Sequence, residues 1–183
     1  MSTHWDKDRA LELNPKIRDL VDDIYRSLFP IREIHRIANS KCEPDTLDYI
    51  LDRELHIDVI LELDNEQIVT IQEKFRRKEY IGFNDFTLEF YSNQAENVKG
   101  EYFGLFSQFY SYVWLDESKP EILRHYIFKI PDFTLGFLEG RIKGELKQNK
   151  DHSKASFIAF SFQDFPQEWF VHQYPIIKLE DFM

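Results

Sequence analysis

Three polar residues stand at the ends of two apolar runs in residues 57–78, IDVILELDNEQIVTIQEKFRRK. Asp58 opens the first run, and Gln72 and Lys74 close the second. An acid, a carbonyl oxygen and an ammonium brought together at the end of a hairpin can hold a divalent metal ion and polarise a phosphate. Four of the five residues 74–78 are basic, namely Lys74, Arg76, Arg77 and Lys78. Other chemistries find no comparable support. The chain has no GxGxxG, P-loop or GxSxG pattern. Its six histidines, at 4, 35, 56, 125, 152 and 172, form no HExxH or close pair. The single cysteine, Cys42, excludes an internal disulfide and a cysteine-rich zinc site.

The elements that must position these residues are two strands. Residues 57–63 and 68–75 are rich in Val, Ile and Thr, as fits a sheet. Asp64, Asn65 and Glu66 form a three-residue loop between them. With that loop Leu63 pairs with Gln67 and Asp58 lies opposite Gln72, with Lys74 on the same face. Val59, Leu61, Val69 and Ile71 then form the apolar face. A two-residue turn would instead put Asp58 and Gln72 on opposite faces.

Around this hairpin the pattern predicts a mixed α/β chain. Asn14-Pro15 starts a helix whose apolar residues Ile17, Leu20, Val21, Ile24, Tyr25 and Leu28 share a face, and Pro30 ends it. IREIHRIAN reads as a second short helical piece closed by Asn39-Ser40, and TLDYILDREL as helical or irregular. Strands are predicted over 85–92, 110–115, 122–130 and the SFIAFSF run. A helix capped by Asp132 carries Phe133, Phe137, Leu138, Ile142 and Leu146, and FPQEWFVHQY reads as a short helix or turn. Residues 1–14 read as a polar lead-in and QNKDHSK as a surface loop. The expectation is one domain over residues 1–183, a central mixed β-sheet flanked by helices.

The 183 residues are 43% hydrophobic and 16% aromatic, too much bulky apolar material for a disordered chain. No apolar run reaches the roughly 20 residues of a membrane helix, and the N-terminus lacks an apolar signal core. A cytoplasmic protein with no membrane partner is expected. The net charge of −10 argues against a generic nucleic-acid binder, because phosphate contacts need Lys and Arg. It leaves room for an enzyme whose basic residues are concentrated on one surface.

The Asp58, Gln72 and Lys74 pattern resembles the PD-(D/E)XK nuclease superfamily, the restriction-endonuclease-like fold, with QxK in place of ExK. The order of elements over about residues 15–130 is similar as well: a helix, the hairpin, a strand FTLEFYSN, then KGEYFGLFSQFYSYVW. The resemblance implies a metal-dependent nuclease that hydrolyses phosphodiester bonds, DNA in preference to RNA, with Mg²⁺ or Mn²⁺ as cofactor. It implies Asp58 as the principal metal ligand, Gln72 as a carbonyl ligand, and Lys74 orienting the attacking water or stabilising the phosphorane. Arg76, Arg77 and Lys78 would contact phosphates away from the chemical centre. A further acid is expected from Glu89, or from Asp23 or Glu33, with Asp19 and Asp22 also in the helix. Homodimerisation follows by analogy.

Each residue also has a plainer reading. Glu73 points away from Lys74 by strand alternation, as a solvent-facing charge or a partner for Arg. A basic run is usually a solvated surface. The aromatic stretch 102–114 can stack on bases or fill the core. The alternatives to the nuclease are an inactive binding module of the same fold, favoured by the neutral Gln72, and an acidic protein that binds proteins as a phosphate mimic.

Overall fold

The computed structural model describes residues 14–37, 46–116, 118–119, 121–148 and 154–175. The lead-in before Asn14, the Asn39-Ser40 stop, Cys42 and the loop over 149–153 lie outside them.

The first helix forms as its caps dictate. In α1 (Pro15–Leu28) Pro15 sits in the first turn and Asn14 Oδ1 accepts the Lys16 N–H at 3.1 Å. Ile17, Val21 and Tyr25 are its buried stripe. The next segment differs from expectation. IREIHR is the strand β1 (Ile31–Arg36), paired antiparallel with β2 (Val59–Leu63) from Ile31↔Leu63 to Arg36↔Val59. Its apolar spacing at 31, 34 and 37 fits a helix, but the open edge of β2 supplies backbone partners, and tertiary context overrides local preference.

β2 forms a hairpin with β3 (Ile68–Arg77), and β3 runs parallel to β6 (Phe109–Asp116) from Ile71↔Phe109 to Arg77↔Leu115. A parallel pair needs a long crossover. Here residues 78–108 supply it by forming β4 (Asp85–Asn93) and β5 (Val98–Lys99) of a second sheet. β7 (Glu121–Lys129) returns antiparallel to β6. It leads into α2 (Ile130–Leu138), where Pro131 lies in the first turn. The helix is shorter than expected because Gly140, at φ +72, turns the chain. Ile142 still reaches the core, but Leu146 lies exposed on β8 (Gly144–Gln148). β9 (Ser156–Ser161) is followed by two 3₁₀ turns and by β10 (Phe170–Tyr174), which pairs with β7 where a short helix or turn was expected.

The strands make a six-stranded mixed sheet, order β1-β2-β3-β6-β7-β10, and a four-stranded antiparallel sheet, order β5-β4-β9-β8. The class is mixed α/β, as expected. α1 covers one face of the large sheet, packing Ile17, Val21 and Tyr25 on Val59, Leu61, Ile71, Phe75, Val113 and Ile127. The other face is covered by the second sheet together with α2, where helices alone were expected. That layer is the aromatic core, centred on Phe86, whose ring lies 4.7 Å from Tyr110, 4.9 Å from Phe128 and 5.3 Å from Phe133. No helix among the described residues is long and apolar enough to cross a membrane.

Candidate active site at the hairpin end

The loop sets the register. Leu63 N–H donates to the Gln67 carbonyl at 2.9 Å, and Asn65 Oδ1 accepts the Gln67 N–H at 3.1 Å. Glu66 takes the left-handed conformation, φ +65, that closes a three-residue hairpin. Val59 therefore pairs with Ile71, and Asp58 stands one step further, across from Gln72. β2 starts one residue later, at Val59, and the Asp58 side chain extends the pairing beyond it. Its Oδ2 accepts the backbone N–H of Glu73 at 2.7 Å. That bond holds the carboxylate at the edge of β3, and its charge reaches Tyr110, the parallel partner of Gln72.

Gln72 and Lys74 alternate outward from the α1 face, into the layer shared with the second sheet. The Gln72 Oε1 is buried and has no hydrogen-bond partner among the described residues. A buried amide oxygen without a donor costs free energy, of order 1–3 kcal/mol, and so marks a place for a cation or donor. Lys74 Nζ donates to the Thr87 carbonyl at 2.8 Å and lies 3.6 Å from Glu101 Oε2.

Glu101 is the residue that sequence reasoning missed. It opens the 3₁₀ turn Glu101–Phe103, is 8% exposed, and accepts the Tyr110 hydroxyl at 2.5 Å. Burial and then the Glu101 charge push the Tyr110 pKa well above its ordinary range, so the phenol stays a donor. Gly100 makes the approach feasible. A Cβ there would lie 2.6 Å from the Glu89 carbonyl oxygen and 2.8 Å from Glu89 Cγ. Glu89, expected as a further acid, lies close enough to Lys74 and Glu101 to feel both charges. Burial raises its pKa, the Lys74 charge lowers it, and Glu101 raises it again. His56 lies nearby, against Gly104, and burial lowers its pKa, against the attraction of Glu101 and Asp52. The available clue was a lone acid beside a glycine within the aromatic run GEYFGLF. Its partner Tyr110 depended on the parallel register, which local pattern does not reveal.

The remaining candidates lie elsewhere. Asp23 is exposed on the outer side of α1, 3.8 Å from Arg26. Glu33 and His35 on β1 meet Glu62 on β2, a group whose ligand atoms lie within 4.8 Å of one another, and Glu62 also pairs with Arg32. Neither is a helix acid of this centre. The helix acid that approaches β3 is Asp22, and it does so on the opposite face. Arg36 bridges Asp22 at 2.5 Å and Glu73 at 2.7 Å, while Tyr25 donates to Glu73 at 2.8 Å. Glu73 is thus an arginine partner, as one reading held, but it is buried instead of facing solvent.

Arg76 and Arg77 are drawn into the fold while Lys78 stays exposed, so the basic run does not form a continuous outer surface. Arg76 donates to Tyr112 Oη at 2.8 Å and to Thr87 Oγ1. Arg77, 3% exposed, points to the opposite face and bonds Tyr80 at 3.0 Å and Glu79 at 2.8 Å. Lys78 meets Asp116 at 3.0 Å. Strand alternation accounts for the split.

The constellation has oxygen donors at Asp58 and Gln72, an ammonium at Lys74, and near it the buried Glu101 and the half-buried Glu89 carboxylates. Oxygen donors suit a hard divalent cation. Comparison with protein-family models, with curated proteins and with solved structures returns no match.

Proposed function

We propose that this chain is a metal-dependent nuclease, hydrolysing phosphodiester bonds in DNA in preference to RNA. The observation that carries the reading is the orphaned Gln72 Oε1 across from the Asp58 carboxylate, with Lys74 next on the same strand face. Asp58 and Gln72 would hold Mg²⁺ or Mn²⁺. Such an ion, when bound, withdraws charge from the phosphate as a Lewis acid.

The chain's own groups carry the rest. Asp58 is held in place by the Glu73 N–H, so its carboxylate needs little reorganisation. The Lys74 ammonium, positioned by the Thr87 carbonyl and Glu101, orients the attacking water and balances charge that builds on the phosphate oxygens. The water oxygen bonds to phosphorus as the ester P–O bond breaks; the water proton is lost to solvent or to a neighbouring base, and the leaving oxygen keeps the bonding pair and takes up a proton from solvent. Tyr110 keeps Glu101 in line beneath Lys74.

The test is nicking of supercoiled plasmid and cleavage of single-stranded DNA with Mg²⁺ or Mn²⁺, for the parent chain and for Asp58→Ala and Lys74→Ala. The expected result is metal-dependent cleavage that falls at least ~100-fold in each variant. Cleavage equal in all three proteins rules the reading out. A second reading, a binding module without catalysis, is favoured by the neutral amide at position 72. It predicts DNA binding with no cleavage in either metal.

A further inference from the structure

The crossover that brings Glu101 under Lys74 also carries two phenylalanines outward. Phe103 ends the same 3₁₀ turn and is 40% exposed, and Phe106 is 68% exposed. Both positions are held. The Phe103 ring packs at 5.0 Å from Phe90, 5.2 Å from Tyr102 and 5.8 Å from Tyr91. Lys99 Nζ lies 5.2 Å from the centroid of the same ring. The Phe106 N–H donates to the Leu55 carbonyl at 3.2 Å. Gly104, between the two phenylalanines in sequence, is pressed against Glu54 and His56, where a Cβ would lie 2.5 Å from the Glu54 carbonyl oxygen. Exposed rings held in place by their neighbours present apolar area to solvent at fixed positions, where a planar apolar ligand can cover it.

Resting on the nuclease reading, we propose that this surface takes a single-stranded nucleic acid, its bases stacked on Phe103 and Phe106. The backbone between them passes Lys99 toward Lys74. Three observations select this occupant. Rings beside a cation suit the π-face of a base and its phosphate. The surface is continuous with the candidate centre, because Glu101 and Phe103 belong to one turn. And most of the run that would grip a duplex backbone is held by the fold: Arg76 on Tyr112 and Arg77 on Tyr80 and Glu79, which leaves only Lys78 exposed, and that in an ion pair with Asp116. A chain of net charge −10 with few outward cations near the site must obtain affinity from stacking more than from phosphate neutralisation. The salt dependence is therefore shallow. Two cations at ~0.7 counterions each give a log–log slope of about −1.4 for a single strand.

The experiment is fluorescence anisotropy in EDTA, so that nothing is cut. The probe is a labelled single strand of about 12 nucleotides, within the reach of one stacking groove, and the same sequence as a duplex. The single strand is expected to bind at least ~10-fold more tightly than the duplex, and Phe106→Ala to weaken it about 5- to 150-fold. Phe103→Leu, which keeps the packing against Phe90 and Tyr102 but removes the stacking face, weakens it over the same range. Equal or tighter duplex binding overturns the proposal. So does single-strand affinity unchanged in both variants, and so does an absence of binding to either probe. The two readings fail separately. Ring-dependent binding without metal-dependent cleavage leaves this inference standing and removes the nuclease. Cleavage that needs Asp58 but ignores both rings does the reverse.

Discussion

At Gln72 an amide occupies the place where a carboxylate would hold a cation more strongly. Its oxygen is buried and has no donor among the described residues, a cost that a cation or a hydrogen-bond donor would relieve. Gln72→Glu adds a charge between Asp58 and the acids beside Lys74. Without metal the variant is therefore less stable than the parent, because like charges repel in a poorly solvated site. With Mg²⁺ the order is restored, since an ion that binds only the folded chain stabilises it by mass action. The expected outcome is a larger rise in Tm on adding Mg²⁺, and half-maximal cleavage at about tenfold lower Mg²⁺, for Gln72→Glu. Thermal melts with and without the ion check the first part without any assay of cleavage. Equal Mg²⁺-induced shifts in both proteins would remove Gln72 from the ligand set.

Among the elements, the 3₁₀ turn at Glu101–Phe103 connects chemistry to binding surface, and its position rests on Gly100. The Gly100→Ala methyl meets the Glu89 backbone oxygen at 2.6 Å, and backbone yields less readily than a side-chain end. The turn must move off β4, taking Glu101 from Lys74. Such overpacking costs about 1–3 kcal/mol and is read from the urea midpoint. Cleavage falls further than the stability loss explains, because a shift of about 1 Å at Lys74 spoils alignment. Parent-level cleavage by a folded Gly100→Ala would show that the turn is not part of the working site. The hairpin is the complementary case. Its register is set by the loop over 64–66 and by the alternation of Val59, Leu61, Val69 and Ile71, and it does not depend on any residue of the site.

The whole molecule is two cores on either side of one sheet, and its acid response follows from buried imidazoles. His125 is fully buried, with Nε2 on Ser111 Oγ at 2.8 Å. Burial, and then the neighbouring His172, lower its pKa from 6.5 to about 3. Burial also lowers the pKa values of His56 and His172. The sign follows from proton counts. Below 6.5 the unfolded chain binds protons at these rings that the folded chain refuses, so stability is complete above 6.5 and is lost as pH falls toward 3. Glu89 acts in the opposite sense. Its folded pKa is raised, so protonation in acid relieves a cost instead of adding one. Three imidazoles against one carboxylate give a net loss. The melting temperature is expected to drop between pH 7 and about pH 4.5, and His125→Gln to drop less over the same interval. Parallel melting curves for the two proteins across that range would contradict the assignment.

What the sequence determined by itself was local. Asn14-Pro15 capped α1 as read, the three-residue loop set the β2–β3 register, and β-strand alternation put Gln72 and Lys74 on one face and Glu73 on the other. These follow from capping, turn geometry and a side-chain period of two, all written in neighbouring residues. Tertiary structure decided what depends on distant partners. The edge of β2 made a strand of IREIHR, and the parallel pairing of β3 with β6 set Tyr110 beside Gln72. The crossover through a second sheet brought Glu89 and Glu101 to Lys74 and left Asp23 and Glu33 outside. Packing also split the basic run and divided one aromatic stretch. It buried Tyr110, Tyr112 and Trp114 and left Phe103 and Phe106 at the surface. Composition shows that such rings must be buried somewhere, but only the packed layers select which of them are.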